Sequence, residues 1–418
     1  MAKPEKVILI LLAVLLLLAP SGAAAPEGSH RIISVQFRGV RGVDRDFLAR
    51  ETSMREGDFF SAAGLREDIR RLENLRLFSS IEADTSSAPG GIRITYTVEE
   101  TLHWIITPFL YKEDKYGIIY GLQYANSNLF GRKYSTYCAG NSGGLKGGQI
   151  NFGREMTNSR NYGFDLLAEL DESEHPVLDY WRRDHILSFT LQRRAGSVAP
   201  GYSLQRLFGL TTALEIKEFG EPGISVAADN SDVTVKNTLF FQYDDTDIRY
   251  NPARGKRILL SAGYWNINGS ESIRSFISSF SVYTSLSRHV VLAGNISSEL
   301  YADPLPLHYL NFLGGYNFRG CRYGDYRGDS YLTSGLELRL VPRKRINLWK
   351  VFLEPAAALF VDGAMIGGYD SFYRNRVHTG YGISLGFLTP YVSPFFHLAL
   401  NEKGDLIDYL SIQSNWKF

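Results

Sequence analysis

From residue 102 to the end, the chain is a succession of runs, each about ten residues long, in which apolar side chains alternate with polar or small ones. A period of two puts successive side chains on opposite faces of a strand, so one face of every run is apolar. About sixteen such runs can be marked off, separated by Gly, Asn, Asp and Pro, and each is long enough to cross a bilayer at a tilt. In 377–388 the apolar set is Val377, Tyr381, Ile383, Leu385 and Phe387, and the other face carries His378, Gly380, Gly382, Ser384 and Gly386. Near the chain end Leu410, Ile412, Ser414, Trp416 and Phe418 share one face, and Ser411, Gln413, Asn415 and Lys417 the other. Lipid outside and water inside fits this pattern, which predicts an all-β transmembrane barrel of about sixteen antiparallel strands over 101–418. A soluble sandwich would also alternate, but it has no need of the terminal aromatic residue described below, which here accompanies an export signal in the chain's first residues.

Those residues read as an export signal over 1–25. Lys3 and Lys6 precede an apolar run from Val7 to Ala19, followed by the small residues Ser21 to Ala25. The run is short for a membrane helix, and no comparable one follows it. Cleavage directly before Pro26 is chemically awkward, so the expected site lies one or two residues earlier. No cysteine follows the run, which excludes a lipid-anchored N-terminus. The two cysteines, Cys138 and Cys321, are compatible with a bridge in an oxidising compartment or with two free thiols. Net charge is +1, so no global field draws in nucleic acid.

Residues 31–100 follow different rules. Val35 and Phe37 belong to an alternating strand that ends at Gly39; Asp44 opens a helical stretch that Gly57 ends. Ser61 is a plausible N-cap for a second helix, with Leu65, Ile69, Leu72 and Leu75 at helical spacing. Phe78 and Ile81 lead into a short strand, Pro89-Gly90-Gly91 is a turn, and 92–99 alternates again. The result is an α+β module in the order strand, helix, helix, strand, strand.

This module resembles a single POTRA domain. The matching residues are Val35-Gln36-Phe37-Arg38-Gly39, the Gly57 turn, the Leu75–Phe78 helix end and Val98-Glu99-Glu100. In the barrel, Gly315-Tyr316-Asn317-Phe318-Arg319-Gly320, within the long segment 302–330, resembles the lumenal-loop motif of the outer-membrane protein assembly and translocation superfamily. That superfamily includes bacterial surface antigen barrels, BamA- and TamA-like factors and two-partner-secretion transporters. Phe360-Val361-Asp362 matches its Phe-x-Asp strand motif, the aromatic Phe418 its C-terminal insertion signal, with Trp416 two residues before. Asn128-Leu129-Phe130-Gly131 and the segment 244–255 with Asn251-Pro252 match further recurring features. Cys321 departs from the pattern, which has an aromatic residue after Arg-Gly; Tyr323 is a candidate substitute.

The resemblance implies a loop folded into the lumen, with Gly315, Phe318, Arg319 and Gly320 at its tip. Parity along the strands, which owes nothing to the family, turns Asp362 and Glu337 inward, the former the first candidate partner of Arg319 and the latter the second. Otherwise Arg319 is one of several solvated pore charges. The implied location is the bacterial outer membrane, with the small domain in the periplasm. The implied function is insertion or translocation of proteins, with client capture at the POTRA edge and a gated barrel. The implied partners are unfolded or secreted clients, outer-membrane lipid and periplasmic accessory proteins. A dedicated two-partner-type secretion pore and a non-transporting structural barrel or receptor are the alternatives. A single POTRA-like domain is fewer than general assembly factors carry, which favours a specialised role. The histidines lack metal-ligand spacing, no Gly-x-Ser-x-Gly elbow occurs, and no cofactor or catalytic residue is assigned. Trp104 and Trp181 suit interfacial aromatic girdles.

Overall fold

The computed structural model describes residues 30–413 except 114–116, 155–156, 158–161, 179–184, 204–206, 221–224, 228, 248–250, 316, 323, 343–345, 349–350, 371, 373–374 and 389–392. The export signal, Trp181, Tyr316, Tyr323, Trp416 and Phe418 lie outside the described residues.

The small domain runs β1 (Ile32–Arg38), α1 (Arg45–Glu51), α2 (Ala62–Asn74), β2 (Phe78–Ala88) and β3 (Gly91–Glu100). Asp44 and Ser61 cap the two helices, accepting hydrogen bonds from the backbone N–H of Phe47 and of Gly64. The sheet order is β1-β3-β2, with β1 parallel and β2 antiparallel to β3. Phe47, Leu48, Leu72, Leu77 and Ile94 form its core with Tyr96, whose hydroxyl donates to the buried Asp68 at 2.8 Å. Burial, and then the Asp68 charge, pushes the Tyr96 phenol well above its ordinary pKa. The strand entered at Phe78 is not short: it spans 11 residues and ends the sheet on one side. On the other side β1 is partly covered, since Gly57 N–H donates to Ile32 O and Ile32 N–H to Asp58 O.

The barrel begins with β4 (Trp104–Glu113), β5 (Gly117–Leu129), β6 (Tyr134–Gly143), β7 (Leu145–Arg154), β8 (Tyr162–Leu178) and β9 (His185–Ser203). It continues through β10 (Leu207–Phe219), β11 (Ser231–Asp244), β12 (Gly255–Ile267), β13 (Glu271–Ser285) and β14 (Val290–Tyr301). The long segment after β14 contains a small hairpin, β15 (Asn311–Leu313) with β16 (Tyr326–Gly328). Then come β17 (Ser330–Leu340), a three-residue β18 (Ile346–Leu348), β19 (Val351–Gly367), β20 (His378–Leu388), β21 (Ser393–Asn401) and β22 (Leu406–Gln413). Among the described residues, sixteen long strands, each antiparallel to the next, form a closed sheet in which β22 lies beside β4. Trp104, Leu239, Leu336, Leu338, Leu359, Tyr381, Leu385 and Leu410 face outward and exposed. Glu337, Arg339, Asp362, Ser384 and His397 face inward and buried. The apolar outside and polar inside are the arrangement that lipid requires of a barrel.

One hairpin outruns its sequence pattern. The alternation suggests ends near residues 172 and 194, yet β8 and β9 stay paired to Leu178↔His185, Ala195–Gly201 pairs with β8, and Ala195–Val198 and Gly201 pair with β10 as well. Ala, Gly, Ser and Pro in that stretch carry no alternating apolar face, so backbone pairing alone defines it.

The small domain rests on the barrel turns at its own end. Asp44 N–H donates to Gly131 O at 2.9 Å, Arg132 Nε donates to Asp44 Oδ2 at 2.9 Å and Asn128 Nδ2 donates to Gly42 O at 3.2 Å. Gly131 has φ +70°, and a Cβ there would lie 2.9 Å from Gly42 O, so this glycine allows both the turn and the close approach. Further round the rim, Thr157 Oγ1 donates to Glu51 Oε1 and Arg70 Nη1 to Thr246 O at 3.1 Å. The Asn128–Gly131 motif is therefore the seat of the small domain.

Candidate functional site

The site is built on three neighbouring strands, β17, β19 and β20, and on the segment between β14 and β17. Glu337 and Arg339 are two apart on β17, hence on one face, and Phe360 and Asp362 share the inward face of β19 for the same reason. Small Ala356, Ala358 and Ala364 flank them on that face and leave room for chain packed inside the wall.

The segment is ordered by its own residues before it meets that wall. Asn317 closes its tip: Gly314 N–H donates to Asn317 Oδ1 and Asn317 Nδ2 donates to Phe312 O, both at 2.8 Å. Gly314 and Gly315 have φ of +130° and +63°, values that an L side chain would resist. Asp329 ties the base, accepting from Leu305 N–H at 2.8 Å and Tyr369 N–H at 3.1 Å. Phe318 is fully buried with Leu313, Cys321, Ala364 and Ile366, and Tyr326 and Tyr331 pack against this cluster. Cys321 thus fills part of an apolar pocket, and the aromatic packing comes from Phe318 and Tyr326. Cys138 and Cys321 are not joined in a disulfide.

Arg319 is 1% exposed and makes a forked ion pair with Asp362, Nε to Oδ2 at 2.8 Å and Nη2 to Oδ1 at 2.7 Å. Its backbone N–H also donates to Asp362 Oδ2 at 3.2 Å. Its Nη1 donates to Glu337 Oε1, and the other oxygen of Glu337 accepts from Arg339 Nε at 2.7 Å. The guanidinium carbon lies 3.7 Å from the centroid of the Phe360 ring. Two cations and two anions therefore neutralise one another inside the barrel, the arrangement that makes buried charge tolerable. Gly320 completes the contact: its backbone packs on that of Gly380 in β20.

A second attachment was not visible in the sequence. His308 Nε2 lies 3.1 Å from Asp232 Oδ2, with both side chains buried. The Tyr309 hydroxyl donates to Glu215 Oε2 at 3.0 Å and shares a 2.6 Å hydrogen bond with Thr234 Oγ1. Lys217 and Lys236 stand over the Tyr309 ring at 3.4 and 4.7 Å, and Lys236 pairs with Glu215 at 2.8 Å. The only hint was Glu215, an inward acid two residues before an inward lysine on β10. The segment is therefore fastened to the β10–β11 arc by its first half and to the β17–β20 arc by its tip.

The sequence matches the "Surface antigen variable number repeat" (POTRA) model over residues 30–101 and the "Omp85 superfamily domain" model over residues 115–416. A search of curated protein sequences gives no match. Among solved structures, BamA from Haemophilus ducreyi lacking POTRA domains 1–3 aligns with a TM-score of 0.54 at 14% identity, covering 93% of this chain and 84% of that one. CdiB from Acinetobacter baumannii aligns at 0.55 and 13% identity, covering 92% and 73%. CdiB from Escherichia coli aligns at 0.56 and 12% identity, covering 94% and 91%. These likenesses are in fold, and the family match over most of the barrel decides membership: the chain belongs to the Omp85 superfamily.

Proposed function

We propose that this protein inserts other proteins into a bacterial outer membrane through the seam between β22 and β4, with the segment latched at Arg319 in the resting state. Insertion or translocation of proteins at that membrane is the general activity that superfamily membership supports. The observation that carries the finer reading is the doubly fastened segment. Its buried attachments at Asp232 and Glu215 on one arc and at Asp362 and Glu337 on another string it across the lumen. A client threading the lumen would have to break both attachments. A client entering at the seam would need only to replace the pairing of one strand, which an incoming strand can supply.

The small domain suits client delivery. Its exposed edge is β2, where Asp84 to Ser87 are solvent-facing, while the start of β1 is covered. An extended client segment can add to that edge through its backbone alone.

A disulfide engineered between β4 and β22 tests the reading. In proteoliposomes, the oxidised protein should fail to speed the folding of an unfolded outer-membrane barrel, and reduction should restore the activity. Full activity with the seam locked would sink this proposal. The secretion-pore reading would take its place if release of the segment by Arg319→Ala also raised conductance.

A further inference from the structure

A line of inward side chains joins the Arg319 site to the last strand. Arg319 Nη1 donates to Ser384 Oγ on β20 over 3.5 Å. Ser384 Oγ shares a 2.8 Å hydrogen bond with His397 Nδ1 on β21. His397 Nε2 shares another, also 2.8 Å, with Ser411 Oγ on β22. Ser384 and His397 are direct cross-strand partners, while Ser411 lies two residues beyond Tyr409, the partner of His397. All three side chains are buried, and their inward neighbours are Gly382 and Gly386 on β20 and Phe395 and Ala399 on β21. Polar groups among such neighbours are costly unless each is paired, and here each link pairs the next.

The chemistry fixes the first link of the line. A guanidinium only donates, so the Ser384 oxygen accepts from Arg319, and its hydroxyl either donates to His397 Nδ1 or accepts from it according to the imidazole tautomer. In the tautomer with Nδ1 accepting, the proton sits on Nε2 and is donated to Ser411; in the other, both bonds run the opposite way, and either leaves the three groups linked. Hydrogen bonds in series polarise one another in a low-dielectric interior, so a change at the first link is felt at the last.

We propose that Ser384 and His397 are positioning residues that couple the Arg319 latch to the seam strand β22, so that leaving the latch loosens that strand. The proposal rests on the reading of the β22–β4 seam as the gate, and it assigns the wire between latch and gate.

Hydrogen–deuterium exchange of the full chain in lipid nanodiscs tests it, read on peptides covering 406–413 and, as a control, on peptides from β10 and β11. Ser384→Ala should speed β22 exchange about tenfold, the effect of losing one buried hydrogen bond, and leave β10 and β11 unchanged. Arg319→Ala should do the same to β22, the double variant no more than either alone, and Ser384→Thr should restore protection. The proposal is overturned if Ser384→Ala leaves β22 exchange at the parent rate. It is equally overturned if the two single effects multiply in the double variant, since independent sites behave so. His397→Ala is the second probe; should it fail to give a folded barrel, the Ser384 variants decide alone. Client insertion measured on the same preparations separates the two readings. Faster β22 exchange with unchanged insertion refutes the seam as gate and leaves the coupling standing. Unchanged β22 exchange refutes the coupling whatever insertion does.

Discussion

Gly320 and Gly380 touch backbone to backbone: a Cβ on Gly380 would stand 2.5 Å from Gly320 Cα and 2.8 Å from Gly320 N. The second glycine of the loop motif is thus required by a partner on β20, and two glycines at this crossing bring the Arg319 backbone close enough for its N–H to reach Asp362.

Gly380→Ala should therefore displace the loop tip, because the atoms in the way are backbone and cannot rotate aside. The expected result is faster proteolysis within 314–329 in the membrane-inserted protein. Gly140→Ala on β6 is the control, since a Cβ there meets nothing within 4 Å. Equal proteolysis of the two variants would show that the glycine contact does not hold the tip.

Removing one member of the Arg319, Asp362, Glu337 and Arg339 group leaves an uncompensated charge in a buried place, at a cost of about 3–5 kcal/mol. The barrel wall does not depend on the loop, so that cost should appear as loop release. Asp362→Asn and Arg319→Lys should each expose 314–329 to protease, the lysine variant because an ammonium cannot make the fork. The double variant should lose less than the sum of the two single effects, as residues sharing one contact do. A strictly additive pair would mean that the two side chains act separately.

The contrast between what alternation revealed and what it concealed has a physical cause. Which way Asp362, Glu337, Ser384 and His397 point follows from a period of two, so those facings could be read from the sequence without any partner in view. Which residues meet depends on register between strands and on the path of an irregular segment, and neither leaves a local trace. His308 with Asp232, Tyr309 with Glu215, and Gly320 with Gly380 are all contacts of that second kind. Arg339 faces inward by the same parity as Glu337, but its place in the charge group depends on where the irregular segment sets Arg319. The Ala195–Gly201 stretch shows the limit from the other side, for it is strand by pairing while its residues suggest a loop.

The attachment at Tyr309 should be weaker than the one at Arg319, because a single hydroxyl bonded to Glu215 and Thr234, beside His308 on a short turn, replaces a forked ion pair. Tyr309→Phe removes the hydroxyl that serves Glu215 and Thr234, at about 1–3 kcal/mol for the buried groups left behind. Single-channel recording should show a small, flickering rise in conductance for Tyr309→Phe. Combination with Arg319→Ala should give a stable, large conductance, since both ends of the segment are then free. A double variant no more conductive than Arg319→Ala alone would show that the first half of the segment does not obstruct the lumen.

Docking of the small domain should weaken in acid. The Phe47 N–H, and then the Arg132 guanidinium, hold the Asp44 carboxyl below its ordinary pKa. The Phe47 bond lies within the small domain, so docking is linked to pH through Arg132: that contribution is complete above the undocked pKa of Asp44 and is lost as the pH falls through the docked one. A fluorescence pair on the small domain and the β5–β6 turn should therefore report a steady distance from neutral pH down to about 4 and separation below it. Asp44→Asn should reduce that acid dependence. Arg132→Gln should reduce it as much, because the helix cap at Phe47 lies within the small domain and is made whether that domain is docked or not.

Cys321 provides a built-in reporter of loop release. Its side chain is 2% exposed among Leu313, Phe318, Ala364 and Ile366, so in the resting state a maleimide should reach it slowly. Replacing Cys138 by Ser leaves Cys321 as the only thiol in the chain. In that background Arg319→Ala and Gly380→Ala should both speed labelling of Cys321, since the cluster is intact only while the tip sits on β19 and β20. Tyr309→Phe, which acts on the opposite attachment, should leave the labelling rate near that of the parent. If Tyr309→Phe speeds labelling as much as Arg319→Ala, the two attachments release together and the segment behaves as one rigid plug. If neither Arg319→Ala nor Gly380→Ala changes the rate, Phe318 and its apolar neighbours hold the tip without help from the charge group.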